Sequence, residues 1–156
     1  MAWVAPENFH ITLKFLGGID EARVQGVIDA LHRAVAGHPP FAIDVGGLGA
    51  FPSLTRARVL WAGLLAGGDP LARLAGAVDA ALGGLGFARE ERAFSPHITL
   101  GRVREPRRAL ALAEALAASG ARPFGRVTID AAALMRSDLS PRGARYTALA
   151  SVPLAR

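Results

Sequence analysis

The stretch that decides the fold is four residues long and occurs twice, as His10-Ile11-Thr12-Leu13 and as His97-Ile98-Thr99-Leu100. Because successive side chains of a β-strand point to opposite faces, the histidine and threonine of each copy would share one face and the two aliphatic side chains the other. Each copy thus offers an imidazole beside a hydroxyl. A histidine exchanges a proton near neutral pH, and two histidines facing one another can act as acid and base in a single reaction.

Other parts of the sequence repeat at the same offset of 87 residues (97 minus 10). The segment Ala57–Ala62 corresponds to Ala144–Leu149, and Ser53 corresponds to Ser140. We interpret these matches as two diverged copies of one unit, with chance similarity in a chain rich in alanine, leucine and arginine as the alternative. A period this long exceeds that of solenoid repeats. It predicts two pseudo-symmetric lobes, with one His-Thr pair on each wall of a central groove.

The composition is that of one compact globular domain. With 156 residues, 51% of them hydrophobic, the chain can bury roughly two-thirds of its unfolded surface, so we expect a single domain spanning residues 1–156. It contains no uncharged apolar run of about 18 residues, so we expect no membrane span. The absence of cysteine, together with a start that does not read as a signal peptide, fits a cytoplasmic protein.

The charge of the chain is positive. Lysine and arginine number 18 against 13 acidic residues, which gives a net charge of +5, and Lys14 is the only lysine. A positive field favours phosphate-bearing partners. The arginine content of a GC-rich genome would explain the same count, so charge alone does not predict nucleic-acid binding.

Hydrophobic periodicity predicts a mixture of helices and strands. The alternation from Phe9 to Phe15 predicts a half-buried strand. Trp61 lies in a later predicted strand and is expected in the hydrophobic core. Three helices are predicted: one capped by Asp20 and reaching Val35, one opened by Asp69-Pro70, and one from Arg107 to Ser119. The elements lack the regular alternation of a doubly wound sheet. We therefore expect an α+β fold, with antiparallel sheets lining the groove and helices on the outside.

An ordered set of segments carries a family resemblance that covers essentially the whole chain. The segments are Asn8–Gly17, Gly47–Pro52, Arg58–Trp61, Ser95–Leu100 and Leu139–Tyr146. Together they resemble the bacterial and archaeal RNA 2′,3′-cyclic phosphodiesterases, the LigT-like or 2′-5′ RNA ligase branch of the two-histidine phosphoesterases. Family members usually begin with a strand and a helix before the first motif, whereas this chain starts nine residues before His10. Either the start codon is misassigned or the natural protein is short, and in the second case we expect the lobe without that strand to expose an unpaired sheet edge.

The resemblance implies an enzyme that hydrolyses a 2′,3′-cyclic phosphate to a 2′-phosphate. Attack at phosphorus requires that water lose a proton on one side while the 3′-oxygen gains one on the other, which suits two separate imidazoles. By resemblance, His97 is the base that activates water and His10 the acid, although nothing in the sequence itself separates the two roles. Thr12 and Thr99 would donate hydrogen bonds to the non-bridging oxygens. No metal and no cofactor are expected.

Four basic residues are candidates for phosphate binding: Arg102, Lys14, Arg58 and Arg145. The resemblance suggests Arg102, but strict alternation places it on the face opposite His97, so this assignment requires a bulge, for which glycine at position 101 is suitable. Lys14 shares the His10 face by parity, and a solvated edge lysine is the equal alternative. Arg58 and Arg145 are related by the repeat and either line the groove or cap strand ends.

Two other functional classes remain as alternatives. The first is a catalytically silent RNA-binding module of the same fold, against which the intact histidines and threonines argue. The second is a metal hydrolase, although two histidines without a neighbouring carboxylate make a poor metal site. Ligation of RNA ends through a 2′-5′ linkage is expected only as a side activity. The expected partners are RNA ends or nucleotides with a 2′,3′-cyclic phosphate, with no membrane, and the protein is expected to be a monomer.

Overall fold

The computed structural model describes residues 2–53, 56–103, 109–118, 122–141 and 143–155. In chain order the elements are β1 (Ala2–Trp3), a 3₁₀ helix (Pro6–Asn8), α1 (Glu21–Val35), β2 (Phe41–Phe51), β3 (Val59–Ala66), α2 (Gly68–Gly83), β4 (Ile98–Arg102), α3 (Ala109–Ala118), β5 (Pro123–Ile129), β6 (Ala131–Ser140) and β7 (Gly143–Pro153). The predicted α+β class is confirmed. The predicted start of α3 at Arg107 lies outside the described residues.

The helices follow the spacing of their apolar residues. Asp20 precedes α1 in an extended conformation, and its carbonyl accepts a hydrogen bond from the Arg23 amide at 2.9 Å. Residues three and four apart lie on one helix face, and those of α1 and α2 form buried stripes. The buried residues are Val27, Ala30, Leu31, Ala34 and Val35 in α1, and Leu71, Leu74, Ala75, Val78 and Leu82 in α2.

The strands form two sheets. The larger has five strands in the order β1-β4-β3-β2-β5, and the smaller is the hairpin of β6 and β7. The pairs β1–β4, β3–β4, β2–β3 and β6–β7 are all antiparallel. The hairpins β2–β3 and β6–β7 occupy equivalent places in the two copies of the sequence repeat, and α1 and α3 precede them, which agrees with an internal duplication.

The chain divides into two compact units, each built from three separate segments. Unit 1 comprises Met1–Thr12, Ala42–Asp69 and Ser95–Val127, and unit 2 comprises Leu13–Phe41, Pro70–Phe94 and Thr128–Arg156. Each unit takes segments from both copies of the repeat, so the units are not the two copies themselves. Unit 1 has a core of Ala50, Ala57, Leu60 and Leu116, and unit 2 has a larger core in which α1 and α2 pack with Ala132, Val152 and Leu154.

The strand predicted from Phe9 to Phe15 is wrong. The 3₁₀ helix ends just before Phe9, and within this segment only Ile11 pairs, in an isolated bridge. Phe15 is 80% exposed. Alternation shows that a segment could be half-buried, but a strand also requires a neighbouring segment with which it can pair along its length, and here the pairing is limited to one residue.

Candidate active site

The two His-x-Thr motifs lie side by side in unit 1, joined by an antiparallel bridge between Ile11 and Ile98. In this register His10 lies opposite Thr99 and Thr12 lies opposite His97, so each histidine faces the threonine of the other motif. Residues on either side of a bridge point to the opposite face from the bridging pair. By this rule the bridge assigns the four polar residues to one face, which we call the motif face.

Antiparallel geometry sets the scale of this arrangement. In a regular antiparallel pair, directly opposite residues have Cβ atoms about 5 Å apart and diagonal neighbours lie about 7–8 Å apart. His10 and His97 are diagonal neighbours in the register of this bridge. This spacing leaves room for a tetrahedral group between the two imidazoles. Pairing at Ile11 and Ile98 brings both motifs into the same unit, and their placement on opposing walls of a groove stays a prediction.

Both imidazoles are held in the same way by the backbone. His10 Nδ1 is 2.7 Å from the Asn8 carbonyl oxygen, and His97 Nδ1 is 2.8 Å from the Ser95 carbonyl oxygen. A carbonyl only accepts, so Nδ1 carries the proton and Nε2 carries the lone pair of each neutral ring. Asn8 and Ser95 are also 87 residues apart, so the repeat extends to the hydrogen bond. Sequence reasoning missed these partners because a backbone carbonyl has no residue signature.

Two aromatic rings surround His97. The Phe51 ring meets the imidazole edge-on, with centroids 5.1 Å apart and planes at 84°. The Trp61 ring is 6.3 Å from the imidazole and 5.3 Å from Phe51. His97 is accordingly half-buried, whereas His10 is exposed. The sequence predicts Trp61 in the core, whereas the structure shows it half-buried beside His97.

Strand register explains why these rings reach His97. Trp61 pairs with Thr99 on β4 and with Gly49 on β2, and paired residues share a face. A Cβ at Gly49 would overlap the Trp61 ring. The glycine thus lets the indole lie close to the sheet beside the second motif.

A bulge in β4 turns Arg102 onto the motif face. Leu60 pairs with Gly101, but the next residue, Trp61, pairs with Thr99, so one residue of β4 is left without a partner on β3. Arg102 pairs with Val59. Val59 is two residues from Trp61, so both lie on the same face of β3, and Arg102 lies on that face with them. The bulge predicted near Gly101 is confirmed.

Lys14 has partners in unit 2. Its Nζ donates to Asp79 Oδ1 at 2.6 Å and to the Ala88 carbonyl at 2.8 Å, and its side chain is only 3% exposed. The hydrogen bond from Lys14, followed by that from Arg89, lowers the pKa of Asp79 to about 2. These bonds account for the Lys14 side chain within unit 2, so its phosphate contact stays a prediction.

The other two basic candidates lie in different units. Arg58, in unit 1, has an exposed side chain, and its backbone bonds to Phe51 and Val103 at 2.8 Å. Arg145, in unit 2, is exposed on β7 and pairs with Asp138 across the hairpin. The phosphate contacts of both arginines stay predictions.

Within residues 2–53, 56–103, 109–118, 122–141 and 143–155, no group of three or more histidine, aspartate or glutamate side chains could hold a metal ion. None of the helices seen there is long and apolar enough to cross a membrane.

Known proteins match this chain along most of its length. Residues 3–141 match the family model described as the 2′-5′ RNA ligase superfamily. The chain is 36% identical over 155 residues to the RNA 2′,3′-cyclic phosphodiesterase of Aeropyrum pernix, covering 99% of this chain and 87% of the relative. The protein of the same name from Methanothermobacter thermautotrophicus is 34% identical over 145 residues, covering 93% of this chain and 78% of that relative.

A crystal structure of E. coli LigT complexed with 3′-AMP has a similar fold, with a TM-score of 0.75 and 26% identity, covering 99% of this chain and 81% of LigT. The order of the motifs, the paired His-Thr geometry and these matches lead to one conclusion. The chain belongs to the 2′-5′ RNA ligase superfamily.

Proposed function

We propose that this chain is an RNA 2′,3′-cyclic 3′-phosphodiesterase, which hydrolyses the cyclic phosphate of an RNA end or nucleotide to a 2′-phosphate. The observation that carries the proposal is the antiparallel bridge between Ile11 and Ile98. It sets the histidine of each motif opposite the threonine of the other. The activity named for the relatives from Aeropyrum pernix and Methanothermobacter thermautotrophicus supports the same reaction.

The two histidines would move the protons of this hydrolysis. His97 Nε2 takes a proton from water as the water oxygen bonds to phosphorus, and His10 Nε2, protonated beforehand, gives its proton to the 3′-oxygen as the bond from phosphorus to that oxygen breaks. The roles follow the family resemblance. The matching backbone bonds at Nδ1 support Nε2 as the atom that exchanges the proton in both rings, and the division into acid and base rests on the resemblance alone.

The hydroxyls and Arg102 would stabilise the charge that develops on the phosphoryl oxygens. Thr12 and Thr99 share the motif face with the imidazoles, so their hydroxyls are suited to donate to the two non-bridging oxygens. The register at the β4 bulge supports a phosphate contact by Arg102, because it pairs this residue with Val59 on the face of β3 that carries Trp61. A guanidinium matches the geometry of a phosphate with two parallel N–H groups.

The catalytically silent RNA-binding module is the weaker alternative. A module that only binds RNA has no need for two imidazoles held by matching Nδ1 bonds, whereas acid-base catalysis does. Ligation through a 2′-5′ linkage would use the same residues in a related reaction, and we keep it as a side activity.

The test is turnover of a nucleoside 2′,3′-cyclic phosphate in the presence of a chelator, with products separated by chromatography. The expected product is the 2′-phosphate alone. His10→Ala and His97→Ala should each lower kcat by a factor of about 10²–10⁴. His32→Ala is the matched control, because His32 is exposed on α1. A 3′-phosphate product, or full activity in either motif variant, would contradict the proposal.

The same proposal includes a monomeric protein acting in the cytoplasm. A cysteine-free sequence is compatible with a reducing compartment. Light scattering on the purified protein and fractionation of its native cell check the two points, and a stable dimer or an extracytoplasmic location would contradict them.

A further inference from the structure

An open cleft in unit 1 adjoins the second motif. It has a volume of about 500 Å³, within the range of small-molecule binding sites. The lining residues belong to β2, β3, the first residue of α2 and the segment before β4: Gly46, Gly47, Leu48, Trp61, Gly63, Leu64, Leu65, Ala66, Gly68 and Pro96. Pro96 immediately precedes His97, and the Trp61 ring contacts the His97 imidazole. The cleft therefore begins next to a proposed catalytic group.

Glycines shape this cleft. A Cβ at Gly63 would lie 3.2 Å from Trp61 Cζ3, and one at Gly46 would lie 2.5 Å from Leu65 Cδ1. The absence of side chains at these two buried positions leaves room for the Trp61 ring and the Leu65 side chain, which pack close to the sheet along the cleft. The Trp61 Nε1 atom is buried without a hydrogen-bond partner among the described residues, so packing alone positions the ring.

The chemistry of the lining selects the kind of group that fits. No residue that lines the cleft carries a charge, and its side chains are one indole, aliphatic groups and proline. A phosphate would have no cation there, whereas Arg102 and the His-Thr pairs lie on the neighbouring part of the motif face. A planar, neutral, aromatic ring suits such a lining, because nucleobases stack on aromatic side chains largely without regard to sequence.

We infer that the cleft beside Trp61 binds a nucleobase of the RNA substrate while the His-Thr pairs hold its phosphate. This inference rests on the proposed function and names a subsite for it. The base belongs either to the nucleotide that carries the cyclic phosphate or to the one before it, and the ligands of the experiment separate these two sources.

Trp61 can report on binding directly. The chain has two tryptophans, and Trp3 is 69% exposed on β1, outside the lining of the cleft. A Trp3→Phe protein therefore leaves Trp61 as its only indole. Its fluorescence should be quenched by a nucleoside 2′-phosphate if the cleft holds the terminal base. If the cleft holds the preceding base, only a dinucleotide should quench it. An absence of quenching by both ligands would overturn the inference.

Kinetics provide the second readout. Gly63→Val should crowd the Trp61 ring and displace it from its place in the cleft. KM for a nucleoside or dinucleoside substrate should therefore rise by about tenfold, in line with the loss of one stacked base. It should leave KM for ribose 2′,3′-cyclic phosphate, which lacks a base, unchanged. Gly76→Val is the matched control, because Gly76 lies on α2 with open space around its Cβ position.

A Leu65→Ala variant and turnover of ribose 2′,3′-cyclic phosphate distinguish failure of the subsite from failure of the proposed function. Leu65→Ala removes an exposed wall of the cleft, so it should raise KM for nucleoside substrates in the same direction even if Gly63→Val does not fold. Equal effects of these variants on substrates with and without a base would overturn the inference. If the unmodified protein turns over ribose 2′,3′-cyclic phosphate but the Trp3→Phe protein never shows quenching, the proposed function stands and the subsite fails. If it turns over no cyclic phosphate at all, the proposed function itself fails.

Discussion

Ile11 and Ile98 pair in an antiparallel bridge, and this single contact sets each histidine opposite the threonine of the other motif. The arrangement predicts that each histidine is energetically coupled, in its contribution to kcat/KM, to the threonine of the other motif. In double-mutant cycles on kcat/KM, the pair His10→Ala and Thr99→Val should be non-additive by about 0.5–3 kcal/mol. The pair His97→Ala and Thr12→Val should behave alike. Strict additivity in both cycles would show that the two motifs act independently.

The edge of the Phe51 ring against His97 predicts a positioning role for this phenylalanine. Phe51→Ala should lower kcat by up to about tenfold with a smaller change in KM, because an aromatic contact of this kind is worth about 0.5–1.5 kcal/mol. Phe124→Ala is a suitable control, since Phe124 is 48% exposed on β5 and Phe51 is 38% exposed. A change in KM alone would show that Phe51 contacts the substrate rather than the imidazole.

The bulge in β4 predicts that Arg102 contributes more to kcat/KM than an ordinary surface arginine does. Arg102→Met should lower kcat/KM by roughly 10- to 100-fold, the loss expected when a charge-assisted hydrogen bond to the phosphate is removed. Arg73→Met, an exposed position on α2, provides the comparison. Equal activity of the two variants would mean that Arg102 points to solvent during the reaction.

The ion pair of Lys14 and Asp79 predicts a pH-dependent contribution to stability. The pKa of Asp79 falls from its ordinary value of 3.8 to about 2 on folding. A carboxyl with a lowered pKa stabilises the fold above the unfolded value, and this contribution is lost as the pH falls through the folded value. Asp79→Asn should therefore melt at a lower temperature than the parent protein at pH 7.

The difference in melting temperature should shrink as the pH falls from 3.8 toward 2. Asp138→Asn is the control, because the Arg136–Asp138 pair is longer, at 3.4 Å, and both side chains are more than half exposed. A difference between Asp79→Asn and the parent that stays constant down to pH 2 would contradict this assignment.

Much of the site follows from the sequence alone. The duplication of His-x-Thr predicts the four polar residues, because a period of two fixes which side chains share a face. The same parity rule, applied to Arg102 and a neighbouring glycine, predicts the bulge that the strand register contains. The helix α1 follows from apolar residues three and four apart, such as Val27 and Leu31.

Other features depend on which segments meet, and a single sequence does not give that information. The alternation around Ile11 predicts a longer strand than the single bridge that forms. The parity that placed Lys14 beside His10 does not reveal Asp79, which lies 65 residues away and binds its ammonium group. The proximity of Trp61 to His97 likewise depends on the pairing of β3 with β4.

The division of each unit into three chain segments determines which unit is complete first during translation. Unit 1, which holds both motifs, needs no residue beyond Val127, whereas unit 2 requires the hairpin that ends with β7. Because chains are made from the amino end, every residue of the histidine-bearing unit is synthesised before the β6–β7 hairpin is complete. The last strand to emerge would therefore complete the scaffold of unit 2 rather than the reactive centre.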